Sequence, residues 1–343
     1  MQLLLDVMGP SVQGTVRPPA RRQRTVPQWT RKVPAMARVV GAAAYRTGML
    51  VSTVILPIYR WPEAREIWQR AERLGAHAGY SYDHLSWRSF AGGPWYGTVP
   101  MLSAAALVTD RLRLGTMVTS PNFRDPVPLA KDLMTLDELS AGRITAGIGA
   151  GSATGFDATV LGGPAWSAGE RADRYAEFVR LLDTLLRNPD TTSTGRYYSA
   201  HAAKMIPGCV QRPRLPCYLA GTGPRGLRLA AELGDGWITT GPAGRPAADL
   251  AAAMVAVGDQ LRRLADACAA VGRDPATLHR VLLTGFLPGE PLGSFDQAVE
   301  LAGAAAQLGV DEIVVHWPVP DSPFALDEKL FERILTELPD QVN

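Results

Sequence analysis

Cysteine is scarce: Cys209, Cys217 and Cys268 are the three in a chain of 343 residues. An odd count with no C-x-x-C spacing excludes a disulfide scaffold and argues against a structural zinc site; it suits a reducing cytoplasm. Lysine is also sparse, since Lys32, Lys131, Lys204 and Lys329 are the only lysines among 35 basic residues. With the excess of Ala and Gly this points to a GC-rich genome and carries no functional information. No window approaches the run of about 18 apolar residues that spans a bilayer, so a membrane is excluded as partner. Residues 1–48 carry eight Lys or Arg against the single Asp6, which leaves −5 on the remainder of a chain whose net charge is +2. A body of that sign has no basic stripe for a phosphate backbone, which excludes nucleic acid. No residues stand at metal-ligand spacing, and neither G-x-S-x-G nor a Cys/His pair suggests covalent catalysis.

What is present is enough apolar residue, 46% against 20% charged, to bury a large core. The start, "MQLLLDVMGP", has no cationic opening and a short apolar run broken by Pro10, which makes a poor secretory signal. Pro18, Pro19, Pro27 and Pro34 follow among basic residues without sustained periodicity. Residues 1–48 are therefore expected to be a flexible basic extension or a misassigned start, with Met49 opening the domain at 49–343.

From Met49 onward, strand-like and helix-like runs alternate. "VSTVILP" (51–57) is a continuous β-branched run of the kind buried in a parallel sheet. "WPEAREIWQRAERLGA" then puts Ala64, Ile67, Trp68, Ala71 and Leu74 on one helical face, with Pro62 in the first turn and Gly75 as the stop. Strands are expected at 78–85, 112–120 and 144–151, with a helix from "DPVPLAKDLMTLDELSAGR" burying Leu129, Ala130, Leu133, Met134 and Leu139. A longer excursion follows, with a helix at 167–188 and a hairpin in "GRYYSAHAAKMIP". Four more strands are expected at 215–221, 236–241, 280–286 and 311–317, the last preceded by a helix with Ser294 and Gln297 at capping-box spacing. Eight such units with right-handed crossovers close most simply into an α/β (β/α)8 TIM barrel with an insertion after strand four.

Barrel chemistry sits on the loops at the C-terminal strand ends. One of these, "GTGPRG", holds Gly221, Gly223 and Gly226 at G-x-G-x-x-G spacing. A dinucleotide fold would open with this motif and place an acid for the ribose about 20 residues on. Here four strands precede it and the next strand ends "WITTGPAGR", without an acid. What survives is an anion site, because small residues before a helix N-terminus leave backbone N–H groups for a phosphate.

Five stretches in order, "YDHLSW", "RLRLGTMVTSP", "LDELSAGRITAGIGAGS", "GTGPRGLRLAAELGDGW" and "GVDEIVVHW", resemble the bacterial luciferase-like family over roughly residues 50–340. That family includes FMN-dependent monooxygenases and oxidoreductases using the deazaflavin F420. The resemblance implies a luciferase-like barrel with the ring in its mouth, and an Asp-His pair followed by Trp lining ring and substrate, here Asp83, His84 and Trp87. It implies a non-prolyl cis peptide against the ring within Met117-Val118-Thr119, a second wall from Ala150, Gly151 and Ser152, and the phosphate near Gly221, Thr222, Gly223, Pro224 and Arg225. One departure concerns the proton donor. Some F420 dehydrogenases carry a Glu after strand four, where this chain has Ser152 and Thr154, and the nearest acid is Asp157. That puts a glucose-6-phosphate type of activity in question.

The resulting expectation is a cytoplasmic oxidoreductase that transfers a hydride between reduced F420 and a small organic substrate, with a homodimer possible. His84 is the favoured acid/base, since imidazole gains and loses protons near neutral pH. Asp83 is its orienting partner or a ring contact, and Trp87 a stacking wall. FMN-dependent monooxygenation is the alternative, and a catalytically silent flavin-binding barrel is the alternative of another class. Arg124, Asp125 and Asp157 read as helix or turn caps, Arg143 as a stability residue at the barrel's base, and His77, His201 and His279 as structural or surface. Of His316 and Trp317, only one can face the mouth.

Overall fold

The computed structural model describes residues 48–242 and 247–342. The reading of an extension falls, up to residue 47, outside the described residues. The chain alternates β1 (Leu50–Val54), α1 (Trp61–Arg73), β2 (Ala78–Ser81), α2 (Thr98–Val108), β3 (Arg113–Thr116), α3 (Pro126–Leu139) and β4 (Ile144–Ile148). An excursion then supplies α4 (Phe156–Thr159), α5 (Ala168–Arg187) and the antiparallel pair β5 (Asp190–Thr194) and β6 (Ser199–Lys204). The alternation resumes with β7 (Cys217–Ala220), α6 (Pro224–Leu233), β8 (Gly236–Thr239), α7 (Leu250–Ala270), β9 (His279–Leu283), α8 (Phe295–Gln307) and β10 (Glu312–His316), before α9 (Glu328–Thr336) and α10 (Leu338–Gln341).

Eight of these strands are parallel and form a closed barrel in the order β1-β10-β9-β8-β7-β4-β3-β2. The expected architecture is therefore present, with the insertion after the fourth strand. Alternation along each strand sorts side chains into two cores. Val51 and Ile55 point out to the helices, while Val54, with Tyr80, Val281 and Val314, points in. The interior takes two tyrosines because glycines face them: a Cβ on Gly115 would lie 2.9 Å from the Tyr80 ring, and one on Gly236 would lie 2.6 Å from that of Tyr218. The base of the interior is polar. His279 Nε2 pairs with the fully buried Glu312 at 2.7 Å. Burial alone would raise the Glu312 carboxyl, but the bond and charge of His279, with His77 and Ser52, hold it below its ordinary value.

Several boundaries differ from expectation. The strands end one to four residues before the apolar runs do, because their last residues leave the ladder to form the mouth. The hairpin's first strand is Asp190–Thr194, ahead of the quoted stretch. Leu139 is exposed, whereas Leu136, Asp137 and Ser140 around it are buried, and the Asp137 carboxylate accepts from the backbone and side chain of Gln211. Ser294 caps α8 from one side only; the reciprocal capping box is at Ser167 and Glu170, opening α5. Arg143 donates to the carbonyls of Ala106, Thr109 and Leu112 at the base, the stabilising role expected of it. Among the described residues no helix is long and apolar enough to cross a membrane, and no group of His, Cys, Asp or Glu could hold a metal ion.

Candidate active site

The chain leaves β2 as Tyr82-Asp83-His84 and turns through a short 3-10 segment, Arg88–Phe90. This places His84 at the mouth with its side chain about a quarter exposed. Its Nδ1 stands 2.5 Å from Asp157 Oδ2, and the other oxygen of Asp157 accepts the Leu85 backbone N–H at 2.8 Å. Asp157 lies on α4, 8% exposed. The carboxylate in contact with His84 is thus Asp157, which corrects the first of the two roles expected of Asp83, orienting partner or ring contact, and adds to the reading of Asp157 as a turn cap.

Asp83 is committed elsewhere. It is 1% exposed, accepts the Thr119 hydroxyl at 2.5 Å, and takes Arg124 in a two-pronged pair, Nε at 2.9 Å and Nη2 at 2.6 Å. A buried carboxylate needs such partners, and a bidentate guanidinium with a hydroxyl satisfies most of its lone pairs. Arg124 therefore does more than begin α3, where Asp125 is the N-cap as expected. The pair ties the loop after β2 to the loop after β3.

Trp87 joins an aromatic cluster at the mouth, 5.3 Å from Tyr82 and 5.7 Å from Phe324 between ring centroids, with Phe90 and Phe286 beside it. Trp95 donates its Nε1–H to the His84 carbonyl at 2.7 Å, fixing the loop from behind. Of the pair at the end of β10, His316 faces inward and Trp317 packs outward on Phe331. The His316 Nε2 is 2.7 Å from the Tyr82 hydroxyl, its ring stacks on Phe324 at 3.6 Å, and its Nδ1 has no partner. Burial pulls its pKa down to about 3, so the ring is neutral, and burial raises the Tyr82 phenol.

β3 ends in a cis peptide at Met117-Val118, within the expected triplet. Thr119 then bridges to β4, donating its N–H to the Gly147 carbonyl and accepting that of Gly149, both at 2.8 Å. Gly149 has no side chain because Val118 occupies that space: a Cβ there would lie 2.7 Å from Val118 and 3.7 Å from Ala220. Gly151 adopts φ +75° and lies against Asn122, whose Nδ2 donates to the Ser152 carbonyl. On the neighbouring strand, Gly221 and Gly226 approach so closely that a Cβ on either would lie 3.1 Å from the other's Cα. Thr222, Gly223 and Pro224 lead into α6, whose N-terminus no side chain caps. Arg225 is spent on Asp173 and the Gly169 carbonyl, which ties α6 to α5.

The structure thus gathers His84, Trp87, Met117–Thr119 and Ala150–Ser152 on adjoining loops, with Gly221–Arg225 in the turn from β7 into α6. It adds Asp157, Arg124, Tyr82 and His316. The family model of luciferase-like monooxygenases matches residues 41–307. The chain belongs to that family. Its relatives include an F420-dependent glucose-6-phosphate dehydrogenase of Intrasporangium calvum, 33% identical over 282 residues that cover 77% of this chain and 83% of the relative. Another, from Beutenbergia cavernae, is 38% identical across 51% of each chain. Among solved structures, an F420-dependent secondary alcohol dehydrogenase with an F420-acetone adduct superposes with a TM-score of 0.71 at 18% identity, covering 86% of this chain and 99% of that one. A monooxygenase from Streptomyces bottropensis superposes at 0.66 with 20% identity, covering 85% and 98%. At these identities the superpositions speak for the fold.

Proposed function

We propose that this barrel is an F420-dependent oxidoreductase that moves a hydride between the deazaflavin and a small organic substrate, with His84 and Asp157 managing the accompanying proton. The mouth fits such a group in its chemistry. Aromatic walls from Tyr82, Trp87 and Phe90 suit a flat ring system, and Val118 and Asn122, seated on the side-chain-free backbone of Gly149 and Gly151, draw the β3 and β4 loops together beside them. The uncapped first turn of α6 suits a phosphate. Met117, Val118, Thr119 and Ala150–Ser152 would hold the ring, and the turn Gly221–Pro224 with the Arg225 backbone N–H the phosphate, the Arg225 side chain being tied to Asp173. When bound, F420 supplies or accepts the hydride.

The observation that carries the reading is the 2.5 Å contact of Asp157 with His84. With Nδ1–H donated to the carboxylate, Nε2 is the nitrogen left to take a proton from a substrate hydroxyl or, once charged, to return one to a carbonyl. Asp157 keeps the ring in that tautomer. It supplies the acid that the β4 loop lacks at Ser152. Asp83, held by Arg124 and Thr119, acts as a brace that sets where His84 sits. Trp87 and its aromatic neighbours exclude water from the reacting atoms.

Titration with F420, FMN and NADPH in turn, followed by fluorescence, tests this. F420 alone should bind tightly; binding of FMN alone overturns the cofactor and favours monooxygenation. A cytoplasmic homodimer completes the proposal. Three buried, unpaired cysteines support the compartment, and light scattering reads the assembly.

A further inference from the structure

The loops after β3 and β4 and the start of α5 enclose a second cavity of about 140 Å³, lined among others by Asn122, Ser152, Trp166, Arg171 and Arg174. At ~30 Å³ per water this is room for four or five waters, or for one small anion with part of its hydration shell, and too little for a tricyclic ring. Its wall at Ser152 is the loop that lines the barrel mouth, closed from the other side by the Asn122 Nδ2 bond to the Ser152 carbonyl at 3.0 Å.

Two arginines reach this cavity with most of their donors unspent. Arg171 gives one N–H to the Trp166 carbonyl at 3.1 Å, and Arg174 gives one to the Pro121 carbonyl at 2.9 Å while its guanidinium lies 4.8 Å from the Trp166 ring centre. A guanidinium carries five N–H donors and does not deprotonate, so each side chain lining the cavity keeps donors beyond its one carbonyl bond, with Arg174 also facing Tyr198, 6.0 Å from that ring's centre. The acids beside them are committed elsewhere. The Glu170 carboxylate accepts from the Ser167 backbone and hydroxyl, and Asp173 pairs with Arg225. Farther along the same helix Arg180 and Arg187 do have acids, Glu232 and Asp183. Arg171 and Arg174 have none among the described residues.

We propose that this notch is an anion subsite continuous with the barrel mouth, in which Arg171 and Arg174 bind a phosphate or carboxylate carried by the molecule bound in the mouth. Stacking on Trp166 and the two carbonyl bonds hold the guanidiniums ready, so little side-chain freedom is lost on binding. The anion comes from one of two sources, the charged tail of the deazaflavin or a charged substrate. Only this choice of source rests on the proposed function.

The test compares the wild-type full chain with Arg171→Gln/Arg174→Gln. Inorganic phosphate should raise the melting temperature of the wild type, less at high salt, and leave the double variant unmoved. Fluorescence titration should show F420 bound at least tenfold more weakly by the variant, with a deazaflavin stripped of its charged tail bound equally by both; that result assigns the anion to the cofactor. Unchanged F420 affinity with at least tenfold weaker binding of glucose 6-phosphate, and no change for glucose, assigns it to the substrate. If the double variant loses its far-ultraviolet dichroism, Arg174→Lys replaces it and should retain phosphate stabilisation, while Arg171→Gln alone should reduce it. Equal responses of wild type and variant to phosphate, F420 and glucose 6-phosphate overturn the subsite. A wild type that binds neither form of the deazaflavin defeats the proposed function instead, and the phosphate measurement still decides the notch.

Discussion

Asp157 and His84, 73 residues apart in the chain, meet at 2.5 Å across the barrel mouth. The carboxylate's second oxygen accepts the Leu85 N–H, so the same acid grips both the ring and the backbone that carries it.

If this pair manages the proton, Asp157→Asn should lower kcat on the order of 10² to 10³-fold, since an amide can donate to Nδ1 and so hold the ring in the other tautomer. F420 affinity should change less than threefold. An unaltered kcat in a folded Asp157→Asn protein would remove the pair from the mechanism.

Arg124→Met strands the buried Asp83 charge with only Thr119 as a partner. Removing one member of a buried pair costs about 3 to 5 kcal/mol, and urea unfolding should register a loss of that order. Asp83→Asn added to Arg124→Met should recover part of it, because no charge is then left buried. A single variant as stable as wild type would mean that water replaces the guanidinium freely.

His316 makes stability depend on pH in a stated direction. Its folded pKa of about 3 lies below the ordinary 6.5, so the unfolded chain takes up a proton that the folded chain refuses. Stability from this group is complete above pH 6.5 and declines as pH falls toward 3, by up to about 1.4 kcal/mol per pH unit. Urea midpoints at pH 7.5 and 5 should differ more for wild type than for His316→Gln. Parallel lines for the two proteins would show that His316 is protonated in the fold.

Gly147→Ala would place a Cβ 2.0 Å from the Thr116 carbonyl oxygen. Backbone atoms cannot yield as a side chain does, and overpacking typically costs about 1 to 3 kcal/mol or more. A drop in melting temperature of several degrees is expected, together with weakened F420 binding as the β3 and β4 tips separate. A variant that melts with the wild type would show that the two strands can slide apart.

The barrel was legible because its signal is local and repeated. Runs such as "VSTVILP" and the face of Ala64, Ile67, Trp68, Ala71 and Leu74 each state their own period; the first four are buried, and Leu74, the C-cap, is half-buried. What escaped was of two kinds. The strand Asp190–Thr194 reads "DTTST", which has no apolar alternation to mark it. The site contacts escaped because they join distant loops: Arg124 to Asp83 across 41 residues, and Asp157 from a helix of four residues. Nothing in "NFRDP" or "ATGFDAT" announces a distant partner, whereas His84 and Trp87 stood out as rare residue types at a strand end. Leu139 is exposed because the buried stripe of α3 runs through Leu133, Leu136, Asp137 and Ser140 and leaves it on the outer side.

The acid of the His84 pair is carried by α4, inside the excursion, while all eight ladder strands close without that segment. Scaffold and reactivity are accordingly separable inheritances in this chain. Exchanging residues 153–165 for a plain connector should leave a sealed cylinder with its two cores intact but without the acid beside His84, and grafting a different excursion there could retune proton traffic while leaving the staves untouched.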